Sequence, residues 1–439
     1  MLKRNDTLDD ALEKAERRYR QRNPKSAARF EEASKYMPGG NTRTVLHYSP
    51  FPLAITHAEG ARVHDADGHG YSDFLNEFTA GLFGHSDHTI RSAVTEALAK
   101  GYAFGGPNMY EARLAALMCE RFPSCDQVRM CNSGTEANIN AIGLARAVTG
   151  REGVLVFKDA YHGGVLTFDG DRPSPLNVPF RWVFGDYNDV EGTRRLIEKR
   201  KGDLACIIVE PMMGNAGAIA GSGEFLSMLR EETSKHGILL IFDEVMTSRL
   251  GPKGRQGEIG VIPDLTTFGK YIGGGMTFGA FGGAERFMSN FDPDRPNPLL
   301  HSGTYNNNVL SMAAGVAALE KVLTPNRVQD LNAKGDALRE RLNEIAARRQ
   351  VPLQVIGLGS IMCIHLHDRP INSPEDAKGS DPRARALFHL EMLERGLYLA
   401  RRGFISLSLP LEQRDYDAFA EAFEDVIILM KPHLQAEAP

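Results

Sequence analysis

Between residues 127 and 281 the chain repeats one pattern, a short and almost wholly apolar segment followed by a longer amphipathic one. The apolar segments are 127–130, 154–157, 205–209, 238–242, 265–268 and 278–281. A strand with one wet face alternates polar and apolar residues, whereas strands this uniformly apolar need cover on both faces. The pattern therefore predicts an α/β fold with a doubly wound, mostly parallel sheet in a large domain spanning 76–325. A helix with Ile90, Val94 and Leu98 on one face opens that domain. The flanks read differently. Thr7 is placed to cap a helix through Leu8, Leu12, Ala15 and Tyr19, and Pro24 ends it or opens the next. After Met37-Pro38-Gly39-Gly40, residues 53–74 alternate around Glu59-Gly60 and Asp67-Gly68 turns, as a small antiparallel sheet does. A long helix through Leu331, Leu338, Leu342 and Ile345 leads to strands near 353–366 and 405–409 and a closing helix after Glu412. Residues 326–439 are expected to form a smaller α+β domain, which residues 1–75 join.

The 439 residues allow two to three domain-sized units and a large core. With 51 basic against 56 acidic side chains the net charge is -5, which points away from a nucleic-acid partner. The five cysteines (Cys119, Cys125, Cys131, Cys206, Cys363) lack C-x-x-C spacing and a nearby pair of histidines, so neither a disulfide framework nor a zinc site is expected. Met1-Leu2-Lys3-Arg4-Asn5-Asp6 runs into charge without an apolar signal segment, and no later apolar run approaches membrane-spanning length. The expected setting is cytoplasmic, with no membrane contact.

In an open parallel sheet ligands bind beyond the carboxyl ends of the strands, so the residues just after each apolar segment carry the chemistry. The first ends in Asn132-Ser133-Gly134-Thr135-Glu136-Ala137, a glycine turn opening a helix, where backbone N–H groups and hydroxyls suit a phosphate. Ser133 or Thr135 can equally be a plain helix cap. The second leads to Tyr161-His162-Gly163-Gly164, an aromatic ring and an imidazole against which a flat cofactor can stack, or a packing pair. The third and fourth end at Glu210-Pro211 and Asp243-Glu244-Val245, carboxylates that also read as Mg²⁺ ligands or turn acceptors. The fifth ends at Gly269-Lys270, where burial would lower the lysine toward a reactive amine. Gly273-Gly274-Gly275 follows a strand without opening a helix, which removes a dinucleotide fingerprint. His301-Ser302-Gly303-Thr304-Tyr305-Asn306 reads as the start of a helix near Asn308.

A phosphate cradle, a stacking ring, a carboxylate and a lysine on successive strand ends are what pyridoxal 5'-phosphate requires. Lys270 would then hold the cofactor as a Schiff base, be displaced by an incoming amine, and serve as the base that moves a proton between substrate and cofactor. Asp243 would keep the pyridine nitrogen protonated.

In their order, Asn132 to Ala137, Tyr161-His162-Gly163, Asp243-Glu244-Val245-Met246-Thr247, Gly269-Lys270 with its glycine run, and Gly303-Thr304 resemble the class III, fold-type I aminotransferases from about residue 20 onward. The resemblance implies that Gly134 and Thr135 bind phosphate, Tyr161 covers one ring face with Val245 on the other, and Glu210 supports the site. It also implies a homodimer in which Thr304 reaches the neighbouring subunit's phosphate. Within the class, Met37-Pro38-Gly39-Gly40 and Asp243 to Thr247 resemble glutamate-1-semialdehyde 2,1-aminomutase and the β-amino-acid aminotransferases. The segment 161–179, short and containing Pro173-Ser174-Pro175, and the run Thr304-Tyr305-Asn306-Asn307-Asn308 in place of the mutase's Gly-Asn-Pro favour the latter.

The expected reaction is transfer of the amino group of a β-amino acid, plausibly aromatic and β-phenylalanine-like, to an α-keto acid such as 2-oxoglutarate or pyruvate. The rivals are the intramolecular aminomutase reaction and cofactor binding without turnover. Arg43 and Arg402 are candidate carboxylate clamps, each also readable as a surface charge, with Arg401 an adjacent rival. Phe78 and Phe83 either line an aromatic pocket or pack in the core.

Overall fold

The computed structural model describes residues 7–434; the Met1-to-Asp6 opening lies outside the described residues. Seven strands form the central sheet: β1 (Gln127–Cys131), β2 (Gly153–Phe157), β3 (Arg181–Gly185), β4 (Leu204–Val209), β5 (Leu239–Asp243), β6 (Leu265–Gly269) and β7 (Gly279–Gly283). Their spatial order is β1-β7-β6-β5-β4-β2-β3. Strands β3, β2, β4, β5 and β6 run parallel, and β7 is antiparallel to both β6 and β1. The five residues of β2, the six of β4 and the five each of β5, β6 and β7 are all buried. That burial is what their unbroken apolar character calls for.

Strand β3 has no counterpart among the expected apolar segments. It lies at the sheet edge, where Arg181 is exposed and Trp182 and Phe184 are only half-buried, so its composition is mixed. The helix His88–Lys100 forms where expected, but its buried face is Ile90 and Ala97; Leu98 is 51% exposed. Ile90 and Val94 pack on the core as expected, while Ala97 rather than Leu98 completes the buried face.

Thr7 caps Leu8–Arg22, with its Oγ1 accepting from the Asp10 amide and Asp10 reaching back to the Thr7 amide. Pro24 occupies the first turn of a second helix, Pro24–Ser34. Ile55–Glu59, Arg62–Asp65 and Gly70–Asp73 pair antiparallel, and the last of them pairs in parallel with Leu397–Tyr398. The two ends of the chain therefore share one sheet. Gln354–Leu358, Ile361–His365 and Phe404–Ser406 form another, packed by Pro325–Arg349, on which Gln413–Leu434 packs in turn. Among the described residues no helix is long and apolar enough to cross a membrane.

Candidate active site

The carboxyl ends of β1, β5 and β6, with the loop after β2, converge on a cavity of about 540 Å³. Strand β1 leads into Ser133, which caps the helix Gly134–Thr149 by accepting the Glu136 amide on its Oγ at 3.2 Å. The first turn of that helix presents backbone N–H groups and the positive end of the helix dipole to the cavity, an arrangement made for an anion. The cradle is tight. A Cβ at Gly134 would lie 2.8 Å from Val245 Cγ2, and Gly163, at φ +125°, would drive one into the Thr135 hydroxyl. Thr135 Oγ1 accepts the Gly164 amide at 3.2 Å, tying the phosphate-type turn to the Tyr161 loop.

Asp243, at the end of β5, is buried and wrapped in donors. Its Oδ2 accepts from His162 Nδ1 at 2.8 Å and from Asn138 Nδ2 at 2.9 Å, and its Oδ1 accepts the Val245 amide at 3.1 Å. Asn138 is fixed in turn by Thr267 Oγ1, which donates to its Oδ1 at 2.6 Å, and its amide also reaches the His162 carbonyl at 2.9 Å. Such a network holds a carboxylate in one orientation in a low-dielectric setting. Oδ1, with one donor, retains accepting capacity, and His162 Nε2 is buried with no partner.

Lys270 follows β6 in the left-handed region, at φ +54°. Its Nζ donates to the Phe78 carbonyl at 2.7 Å, and burial lowers its pKa to about 8, against the opposing pull of Asp243. Glu210, beyond β4, accepts the Tyr161 amide at 3.1 Å and the Gly214 amide at 3.0 Å. Burial, reinforced by the Asp243 charge, raises it to about 7. Tyr161 lines the cavity beside it and remains 42% exposed. The rest of its loop folds back as a small hairpin, Phe168–Asp169 against Arg172–Pro173.

Arg43 and Glu77 form an ion pair on the opposite wall. Arg43 lies 5.8 Å from the Phe78 ring centre, and Arg402 lies 5.6 Å from the same ring and 5.4 Å from that of Phe404. Arg402 is not part of the cavity lining; it donates to Asn215 Oδ1, and its charge reaches Lys270 and Tyr161. Arg401 is not among the residues lining the cavity, and its charge acts on the buried His389 of the helix Pro382–Glu394. Phe83 and Phe78 are both core, and Phe78 reaches the site through its carbonyl, which accepts from Lys270 Nζ. Thr304 is exposed and not among the residues lining this cavity, in the turn before Asn308, which caps Val309–Ala317.

The cavity thus brings together Ser133, Gly134, Thr135, Tyr161, His162, Glu210, Asp243, Val245, Lys270 and Arg43. Sequence reasoning missed Asn138 and Glu77. Asn138 stands one helical turn beyond Gly134, so the i, i+4 relation was the available signal; nothing around Glu77 signalled a turn.

The residues present fit pyridoxal 5'-phosphate: an anion cradle, a flat space bounded by Val245, a carboxylate with spare accepting capacity, an unpartnered imidazole nitrogen and an amine of lowered pKa. The family described as aminotransferase class-III matches residues 45–168 and 184–427. The β-phenylalanine transaminase of Variovorax paradoxus is 49% identical over 96% of this chain and 96% of its own. A glutamate-1-semialdehyde 2,1-aminomutase of Lachnoclostridium phytofermentans is 36% identical over 94% of this chain and 100% of its own. The crystal structure of a β-phenylalanine aminotransferase from Variovorax paradoxus superposes with a TM-score of 0.95 at 48% identity, covering 99% of each chain.

Proposed function

The chain belongs to the class III aminotransferases, enzymes dependent on pyridoxal 5'-phosphate, and from that premise we propose that it moves the amino group of an aromatic β-amino acid to an α-keto acid. When bound, the cofactor supplies the electron sink that lets a substrate carbon lose its proton. The Gly134 and Thr135 amides and the Ser133 and Thr135 hydroxyls would hold its phosphate, and Tyr161 and Val245 would flank its ring. Asp243, held by His162 and Asn138, has spare capacity at Oδ1 and would keep the cofactor's ring nitrogen protonated. Lys270 Nζ would hold the cofactor, and as a free amine it would be the base that moves the proton at the substrate carbon. With its pKa near 8, a useful fraction of that amine is unprotonated at neutral pH. Glu210 holds the Tyr161 loop through that residue's amide.

The observation that carries the substrate reading is the placing of two guanidiniums, Arg43 and Arg402, about the Phe78 ring whose carbonyl also receives Lys270. A β-amino acid sets its carboxylate one carbon farther from the reacting amine than an α-amino acid does. Arg43 on the cavity wall is the anchor for that carboxylate, while Phe78 backs it from outside the cavity lining, and Arg402, beside the same ring, is the second anchor for a keto acid such as 2-oxoglutarate only if its side chain swings into the cavity. The relative at 49% identity is named for β-phenylalanine; the mutase is more distant at 36%.

A second copy of the chain completes the site in this reading, with Thr304 reaching the neighbour's phosphate. Supporting it, Met109, Leu300 and Tyr305 are 91%, 93% and 62% exposed, and Asn108 and Asn307 pin their segments together at 2.8 Å. Residues 1–75 and 326–439 then act as one small domain beside 76–325.

The test is the visible spectrum of the cofactor-loaded enzyme during addition of racemic β-phenylalanine without keto acid. Loss of the yellow absorbance, restored by 2-oxoglutarate, is expected. A spectrum that does not change would overturn the β-amino-acid reading, and turnover of glutamate-1-semialdehyde without any acceptor would replace it with the mutase reaction.

A further inference from the structure

Asn76, Glu77, Phe78 and Thr79 have φ of +45°, +49°, +51° and +82°. Among the described residues this is the only run of four side-chain-bearing residues in left-handed backbone. The conformation is costly for L-residues and persists only where its surroundings over-determine it, typically at functional sites. Here Asp73 Oδ1 accepts the Leu75 and Asn76 amides, both at 2.8 Å, and Asn76 Nδ2 donates to the Ser406 carbonyl at 2.6 Å. The buried Arg249 donates to the Thr79 carbonyl at the far end. What the turn delivers is specific: the Phe78 carbonyl to Lys270, the Phe78 ring to two guanidiniums, and the Glu77 carboxylate to Arg43.

We propose that Glu77 is a specificity-determining residue, the internal counter-ion of Arg43 that an incoming substrate carboxylate displaces. The inference rests on Arg43 being the carboxylate anchor. A guanidinium with no partner would attract any anion into the site. Paired to Glu77, it accepts only a carboxylate that competes well, by adding bidentate geometry or a contact elsewhere in the cavity. The exchange is feasible because the pair is half-exposed, 43% for Arg43 and 52% for Glu77, where ion pairs are weak. Glu77 also has somewhere to go. It lines two further cavities, one of about 400 Å³ toward His85 and Arg91 and one of about 550 Å³ toward Phe30 and Tyr398.

The test compares holoenzyme with its Glu77→Gln, Glu77→Asp and Arg43→Gln variants by calorimetric titration of 3-phenylpropanoate, a carboxylate without an amine, and of its neutral amide. Glu77→Gln should tighten the carboxylate roughly two- to fivefold, the range of a surface ion pair, and leave the amide unmoved. Glu77→Asp, which keeps the charge, should stay closer to wild type. Arg43→Gln should weaken the carboxylate. If Glu77→Gln leaves the carboxylate unchanged or weakens it while Arg43→Gln weakens it, the counter-ion role is wrong and the anchor stands. If Arg43→Gln has no effect on the carboxylate, the anchor itself falls and takes the proposal with it.

Discussion

The two walls of the cavity are built on opposite principles. On the Asp243 wall the carboxylate and two of the residues that hold its network are buried on regular structure: Asp243 closes β5, Asn138 lies in a helix of 16 residues, and Thr267 lies in β6. On the Arg43 wall the groups come from a loop, a strained turn and the segment before Phe404, with an ion pair half open to solvent. A reaction centre repeats the same chemistry on every substrate and gains from a fixed dipole arrangement, whereas a wall that must receive two different substrates gains from a partner that can be exchanged.

Substitutions on the two walls should therefore fail in different ways. The largest effect is expected for Lys270→Ala, which removes the proton carrier. Turnover should drop on the order of 10⁴-fold or more, while dialysed protein still retains some cofactor through the phosphate cradle; undiminished turnover would remove Lys270 from the chemistry. Asp243→Asn keeps the shape and removes the charge, and kcat should fall about 10²- to 10³-fold with a smaller change in KM. A loss seen only in KM would place Asp243 on the recognition wall instead.

How much of this was legible in the sequence follows the same division. Apolar strands and the residues that end them are local signals, so Asp243, Lys270 and the Ser133-Gly134-Thr135 turn stood out, as did the doubly wound sheet. His162 was legible as a cavity residue but not as a partner of Asp243, because that contact spans 81 positions. The left-handed turn was invisible: Asn76-Glu77-Phe78-Thr79 contains no glycine and is held from Asp73, Arg249 and Ser406. The strand Arg181–Gly185 was lost because an edge strand need not be apolar on both faces.

Arg249 links the walls. It is fully buried, with burial lowering its pKa to about 9, and it donates to Ser360 Oγ, Ser406 Oγ and the Thr79 and Leu407 carbonyls. Arg249→Leu leaves those acceptors unpaired and should cost about 3 kcal/mol, read by denaturant unfolding, and it should loosen binding on the Arg43 wall before it slows chemistry. A loss below about 1 kcal/mol would mean these contacts add no net stability over a buried leucine.

The lysine gives a pH signature. Its amine is captured by the cofactor only when unprotonated, and with a pKa lowered to about 8 the protonated form dominates below that value. The rate at which apoenzyme regains yellow absorbance should rise roughly tenfold per pH unit up to about pH 8 and then level; a rise continuing toward pH 10 would mean the amine is not desolvated. The smallest effect is expected for Asn138→Ala, which removes one of three donors to Asp243. A loss of roughly fivefold in kcat with unchanged KM would mark it as a positioning residue of the reaction wall.

The pairing of Gly70–Asp73 with Leu397–Tyr398 has a consequence for the order of assembly. Contacts between segments more than 300 positions apart carry a large loop-closure entropy and form late. On a ribosome that ribbon must wait for nearly the whole chain, and so must the turn anchored to Ser406. The recognition wall is then finished last, after the sheet that carries Lys270 has formed, so a chain that stops short of its final segment should capture cofactor without selecting substrate.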